Sequence, residues 1–390
     1  MKAGWQYKQI GDLCEVIAGQ SPEGKFYNTE GNGLPFYQGK KDFGEKFIDD
    51  PKTWTTQTTK IAREGDILMS VRAPVGPVNF ATDEVCIGRG LAAIRSKGEL
   101  DREFLFYQLL HLQPEIAGKE GAVFASINKS EIAALPIVFA PLHEQQRIVA
   151  ILDESFEGIA TAKANAEKNL QNARALFESH LQAVFSHRGE GWVETTISKA
   201  TGGVFTGPFG SLLHKSDYVE DGIPLVNPAH ITDVGIKPDL RKTVSLETAQ
   251  RLSSYIMCVG DIVIARRGEM GRCALVTDVE AGWLCGTGSF LIKPSNRCDA
   301  RYLVRYLRSD VCKARLEKIA GGAVMPNLSN TDLGNLILDL PPIDQQKVII
   351  QEIDNLHKET QRLEAIYQQK LAALDALKKS LLDQAFRGEL

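Results

Sequence analysis

Apolar and small residues recur in alternating steps of four and three along the last part of the chain. They are Ile349, Ile353, Leu356, Thr360, Leu363 and Tyr367, then Leu374, Leu377, Leu381 and Gln384, with Lys370 the one gap. That spacing is the seam of a coiled-coil helix. A second stretch repeats it more weakly at Ile148, Leu152, Ile159, Ala162, Ala166, Ala173, Phe177, Leu181 and Val184. Its central alanines permit close approach of a partner helix. The pattern predicts long helices over about residues 144–187 and 344–386. Roughly 40 residues at about 1.5 Å each would make a rod of about 60 Å. Two such helices in one chain most economically pair antiparallel with each other; pairing between two copies of the chain is the alternative.

Ahead of each long helix the pattern changes to short apolar runs broken by Gly and Pro, which predicts a mixed α/β module. In residues 1–140 the predicted strands are 14–18, 66–71, 85–87 with 91–94, and 135–139, and a helix is predicted over 101–111. Residues 191–340 follow the same plan. Gly65-Asp66-Ile67-Leu68-Met69-Ser70-Val71-Arg72 corresponds to Gly260-Asp261-Ile262-Val263-Ile264-Ala265-Arg266-Arg267, helix 101–111 to 299–307, and residues 34–38 to 223–227. Matched capping boxes, Asn128 to Glu131 and Ser329 to Asp332, each follow a Gly-containing loop, 118–125 and 321–326.

The openings of the long helices match as well. Pro141-Leu142-His143-Glu144-Gln145-Gln146-Arg147-Ile148-Val149 recurs 200 positions later as Pro341-Pro342-Ile343-Asp344-Gln345-Gln346-Lys347-Val348-Ile349. Their endings, Phe185-Ser186-His187-Arg188-Gly189-Glu190 and Phe386-Arg387-Gly388-Glu389, match too. A repeat of half the chain implies two equivalent modules and a pseudo-two-fold molecule. Residues 20–60 and 202–255 do not align beyond a few positions, as expected if each module recognises something different. Arg188-Gly189-Glu190-Gly191-Trp192 joins the halves, and Arg387-Gly388-Glu389-Leu390 placed before Gly4-Trp5 would nearly restore that junction. A circular organisation with adjacent termini is therefore expected.

Composition narrows the function classes. A chain of 390 residues exceeds one ordinary core. It has no apolar run of membrane-spanning length and no apolar stretch after Met1-Lys2-Ala3-Gly4-Trp5, so a cytoplasmic protein is expected. Seven scattered cysteines without a Cys-x-x-Cys read as reduced packing residues. The net charge of −4 weighs against a generic nucleic-acid binder. Residues 1–140 hold 16 basic against 18 acidic side chains, and 191–340 hold 17 against 16. A DNA role therefore needs cations gathered on one face and help from a partner.

Candidate chemistry is sparse. Gly19-Gln20-Ser21-Pro22-Glu23-Gly24-Lys25-Phe26 follows a phosphate-binding loop until Phe26 takes the place of the Mg²⁺-holding Ser or Thr. Asn227-Pro228-Ala229-His230 approaches an amino-methyltransferase motif but lacks its aromatic residue. No nucleophile triad, metal cluster or nuclease constellation is visible, and no cofactor is expected. What remains is a recognition surface beside Gly-rich turns. Its candidates are Gln20, Ser21, Tyr37, Gln38, Lys40, Lys41, Arg72 and Arg89 in the first module, and Ser211, Asn227, His230, Arg266, Arg267 and Arg272 in the second. Lys and Arg suit phosphates, while Gln, Asn and Arg suit base edges. The alternative for the arginines is simple pairing with Asp66 and Asp261.

The order of these motifs resembles the specificity subunit of type I restriction–modification systems, over essentially the whole chain. The resemblance rests on Pro-Leu-x-Glu-Gln-Gln-Arg-Ile-Val opening a helix, Gly-Asp-Ile-Leu on a strand, and Ala-Phe-Arg-Gly-Glu-Leu closing the chain. It implies an α/β (α+β) fold with target-recognition domains at 1–143 and 191–343. Helical regions at 144–190 and 344–390 would pack as an antiparallel intramolecular coiled coil. It also implies that each domain reads one half of a bipartite double-stranded DNA target, while the helices measure the gap. Two modification (methyltransferase) subunits and ATP-dependent restriction subunits would supply the chemistry. A lone methyltransferase or nucleotide-dependent enzyme, and a pure coiled-coil assembly protein, are the competing readings.

Overall fold

The computed structural model describes residues 4–117, 126–320 and 327–390. The loops 118–125 and 321–326 expected ahead of the capping boxes lie outside the described residues. The chain divides into two compact units, 1–168 with 367–390, and 169–366.

The central sheet of the first unit is antiparallel, in the order Cys14–Ala18, Leu91–Ser96, Ile67–Ser70, Val78–Phe80. Its apolar runs are continuous rather than alternating because both faces are buried. Ile67, Met69, Ala92 and Ile94 point into one cluster with the helix Arg102–Ala117, while Leu68, Leu91 and Ala93 point into another. The second unit repeats this with Val204–Thr206, Ser289–Ile292, Ile262–Ala265 and Cys273–Leu275. Ile262, Ile264, Phe290 and Ile292 face the helix side, and Val263, Ala265 and Leu291 the other. Asp101 and Asp299 cap the equivalent helices, accepting from Glu103 N and Phe104 N, and from Arg301 N.

A second sheet lies next in each unit. In the first its order is Tyr27–Asn28, Trp54–Thr55, Leu34–Tyr37, Val85–Ile87, Ile61–Ala62. In the second it is Tyr218–Val219, Thr243–Val244, Ile223–Val226, Leu284–Cys285, with the same antiparallel, antiparallel, parallel pairings. The segments 20–60 and 202–255 thus share a scaffold of which their sequences show only the match of 34–38 to 223–227. What differs is added to it: the hairpin Ile231–Thr232 with Gly235–Ile236, and the helix Leu246–Arg251, belong to the second unit.

Short strands Gln6–Gln9 and Val193–Thr196 pair with Pro136–Phe139 and Ile337–Leu340, just ahead of the long helices. Trp5 and Leu390 pack on one core cluster, so residues near the two ends of the sequence meet there.

The long helices are Leu142–Ser186 and Ile343–Arg387. They run antiparallel within each unit: Lys163 pairs with Asp375 and Arg147 reaches the Leu390 carbonyl in the first, and Arg174 pairs with Glu364 in the second. Every seam position expected on the first helix is buried or half-buried. On the second helix Leu363 and Leu377 are instead exposed, while Leu371 and the Lys378 stem turn inward. A strict 3.5-residue repeat drifts by ~20° per heptad against a straight helix, so a pattern extended over many turns leaves the contact face.

The repeat itself needs a correction of one residue. Gln145 is buried, and its amide donates to the carbonyls of Glu99 (3.0 Å) and Ala140 (2.7 Å) while its oxygen accepts from Asp101 N. The residue with these bonds in the second unit is Gln346, which donates to Arg297 O (2.9 Å) and Pro341 O (2.8 Å) and accepts from Asp299 N. Gln146 and Gln345 are exposed. The first Gln of one copy therefore answers to the second Gln of the other, and the structural offset is 201. Glu144 and Asp344 are not equivalent; Asp344 stands where His143 does.

Candidate nucleic-acid interface

Each unit carries an open groove where its two sheets meet. In the first, Gln38, Lys40, Ser70, Arg72 and Arg89 line a cavity of about 230 Å³. In the second, Thr206, Phe209, Arg266, Arg267, Thr287 and Asn330 are among the residues around about 560 Å³. The floors are built alike: Gly88 N donates to Tyr37 O (2.8 Å) and Gly286 N to Val226 O (2.9 Å), while Val71 N donates to Gly90 O and Arg266 N to Gly288 O, both at 2.9 Å.

Arg72 and Arg267 occupy the same place, each just past the central strand and bridged by backbone to Ser126 and Asn327. Asp66 and Asp261 do not pair with them. Asp66 holds Arg95 through two bonds of 2.9 and 2.7 Å, and Asp261 holds Lys293 at 2.6 Å. Those carboxylates fix the strand ends internally, so Arg72 and Arg267 stay exposed with no acidic group within 4.0 Å among the described residues. Arg266 stands at the place of Val71. It lies against the Phe290 ring at 5.8 Å, and its Nε donates to Leu328 O (2.8 Å), so it braces the scaffold at the groove edge.

The other candidates divide. Lys40 and Lys41 sit on a 3₁₀ turn and are exposed; Gln38 is exposed at a strand end. Gln20 is exposed on the loop after Cys14–Ala18, and its carbonyl accepts from Thr59. Ser21 is half-buried, its hydroxyl accepting from Arg89 N at 3.2 Å. Tyr37 is 2% exposed and donates to Asp49 O (2.8 Å), with burial and nearby aspartates pushing its hydroxyl up to about 12; it packs inside the unit. In the second unit Ser211 is exposed on a 3₁₀ turn outside the groove lining. His230 Nδ1 lies 2.9 Å from Leu225 O, closing its own turn behind Asn227. Arg272 is half-buried, with Nε buried and without a hydrogen-bond partner among the described residues.

Several lining residues were not singled out from sequence, namely Ser70, Thr206, Phe209, Thr287, Ser329 and Asn330. A signal existed for Thr287, because Gly286-Thr287-Gly288 repeats Gly88-Arg89-Gly90. The competing motifs take other forms. Lys25 pairs with Glu23 at 2.7 Å beside the 3₁₀ turn Gly24–Phe26, not at a long helix. Among the described residues no three His, Cys, Asp or Glu side chains cluster as metal ligands, and no helix is long and apolar enough to cross a membrane. All seven cysteines are free and all but Cys258 are buried; burial pushes Cys14, Cys285 and Cys298 up to about 12.

A family model described as type I restriction modification DNA specificity domain matches residues 2–171 and 210–372. The putative type I restriction enzyme MjaX specificity subunit of Methanocaldococcus jannaschii is 38% identical over 174 residues, 44% of this chain and 40% of that protein. The MjaIX specificity subunit of the same organism is 23% identical over 99% of this chain and 93% of its own length. Two solved structures share the fold, each at 20% identity and over 100% of this chain. One, from work on assembly and conformational transition of a type I R–M system, has a TM-score of 0.79 and is covered over 99%. The other, the HsdS subunit from Thermoanaerobacter tengcongensis, has a TM-score of 0.68 and is covered over 98%.

Proposed function

Since the chain belongs to the family of type I restriction modification DNA specificity domains, we propose that it is the sequence-reading subunit of such a system, acting on double-stranded DNA. The observation that carries this reading is the pair of like-built grooves, each with an exposed arginine at the same strand end. Recognition domains at 1–143 and 191–343 each read one half of a bipartite target. Gln20, Ser21, Gln38, Lys40, Lys41, Arg72 and Arg89 serve the first half, and Ser211, Asn227, His230, Arg267 and Arg272 the second, with Arg266 as a brace. The helical regions 144–190 and 344–390 fix the number of unread base pairs between the halves. Two modification subunits supply methyl transfer and much of the phosphate contact that a chain of net charge −4 lacks; restriction subunits supply ATP-dependent cleavage. The subunit itself is non-catalytic, cytoplasmic and without cofactor.

Calorimetry on the full chain separates this from an enzyme acting alone. No stoichiometric binding of S-adenosylmethionine or ATP is expected, while the complex with modification subunits selects a bipartite duplex from random DNA. Tight binding of either nucleotide by the chain alone would favour the enzyme reading.

A further inference from the structure

We propose that the middle residue of the matched Gly-x-Gly turn, Arg89 in the first unit and Thr287 in the second, is the position that makes the two grooves prefer different bases. The proposal rests on the DNA-recognition reading above and assigns roles within it.

The two turns are held in one frame. Gly88 N and Gly286 N bond to the neighbouring strand, Leu91 N and Ser289 N return to the carbonyls of Gly88 and Gly286, and those of Gly90 and Gly288 accept from Val71 N and Arg266 N. Side chains are excluded at the flanking positions. A Cβ at Gly90 would collide with the carbonyl of Gln38, and one at Gly286 with the Asn227 amide oxygen; Gly288 has φ +86°. The residue between the glycines is thus presented into the groove by a rigid backbone, and both Arg89 and Thr287 are exposed there. Preorganised placement of this kind is what base reading needs.

Groups that are the same in both grooves cannot tell two half-sites apart. Arg72 and Arg267 are the same residue at the same strand end, which suits a phosphate, present at every step of the duplex. The turn residue is where the frames agree and the chemistry differs. The guanidinium of Arg89 has no partner among the described residues, and its planar fork matches guanine O6 and N7. The Thr287 hydroxyl already donates to Pro208 O (2.7 Å), which leaves its oxygen to accept from a base amino group and its methyl to meet a thymine methyl. The first half-site should therefore require a guanine that the second does not require at the matched place.

The test is selection of bound duplexes from a random library by the full chain assembled with its modification subunits, as wild type, Arg89→Thr, Arg89→Lys and Thr287→Arg. Arg89→Thr should relax one guanine in one half by roughly tenfold or more and leave the other half intact. Arg89→Lys should relax it too, because a point charge cannot form the fork. Thr287→Arg should create a comparable guanine preference in the other half. Unchanged base preferences in all three variants, with a bipartite wild-type motif, would overturn the assignment and leave the recognition reading standing. A wild-type complex without sequence preference would overturn both.

Discussion

Gln145 and Gln346 each make three hydrogen bonds in a buried site, two joining a long helix to the loop that caps the domain helix and one to the carbonyl just ahead of their own helix. Gln145→Ala or Gln346→Ala would orphan two carbonyls and an amide, and each should cost about 2–4 kcal/mol in denaturant unfolding. Gln146→Ala removes an exposed side chain and should stay within about 0.5 kcal/mol. Equal effects at Gln145 and Gln146 would refute the one-residue correction to the repeat. The sequence could not supply that correction, because Glu-Gln-Gln-Arg-Ile and Asp-Gln-Gln-Lys-Val match better by identity than by the turn each Gln occupies. It did place Arg72 and Arg267 just past equivalent strands, where both are exposed. It failed at Tyr37, where a strand-end tyrosine reads the same whether it faces solvent or core.

At the scale of elements, the strand-and-helix plan was legible wherever burial is two-sided or capping is local. The strands Cys14–Ala18 and Val85–Ile87 lie where the apolar runs place them, and Asp101 starts its helix. The helix beginning at Arg102 runs on to Ala117, past the last residue of the apolar pattern. Of the shared second sheet the sequence shows only Val85–Ile87 and the match of 34–38 to 223–227; its other strands are two residues long, with too few positions for a period to show. The paired helices also carry a titratable weak point. Burial, and then Arg305, hold His357 below its ordinary 6.5, against the opposing pull of Asp354, Glu364 and Glu178. Its Nδ1 is buried without a hydrogen-bond partner among the described residues, and its ring lies 4.9 Å from Phe177. With the folded-state value lowered, the unfolded chain takes up the proton first. Stability present above pH 6.5 should therefore be lost as pH falls from 6.5 toward the lowered value. His357→Phe, which copies the counterpart Phe156, should remove that step from unfolding measured across pH; an unchanged step would contradict this assignment.

In the mechanism we propose for the molecule, the long helices are a ruler and the two grooves reading heads. Removing one heptad from each helix takes out about 10 Å of rise, which corresponds to about three base pairs of B-form DNA. The unread gap should shorten by about that amount while both half-sites keep their bases; an unchanged gap would remove the ruler from the account. Whether the chain reads a split target is decided by methylome sequencing of a host that carries it with its modification subunits. One bipartite motif is expected, two short specified halves separated by a fixed run of unspecified bases. A single contiguous motif, or methylation without any motif, would contradict it.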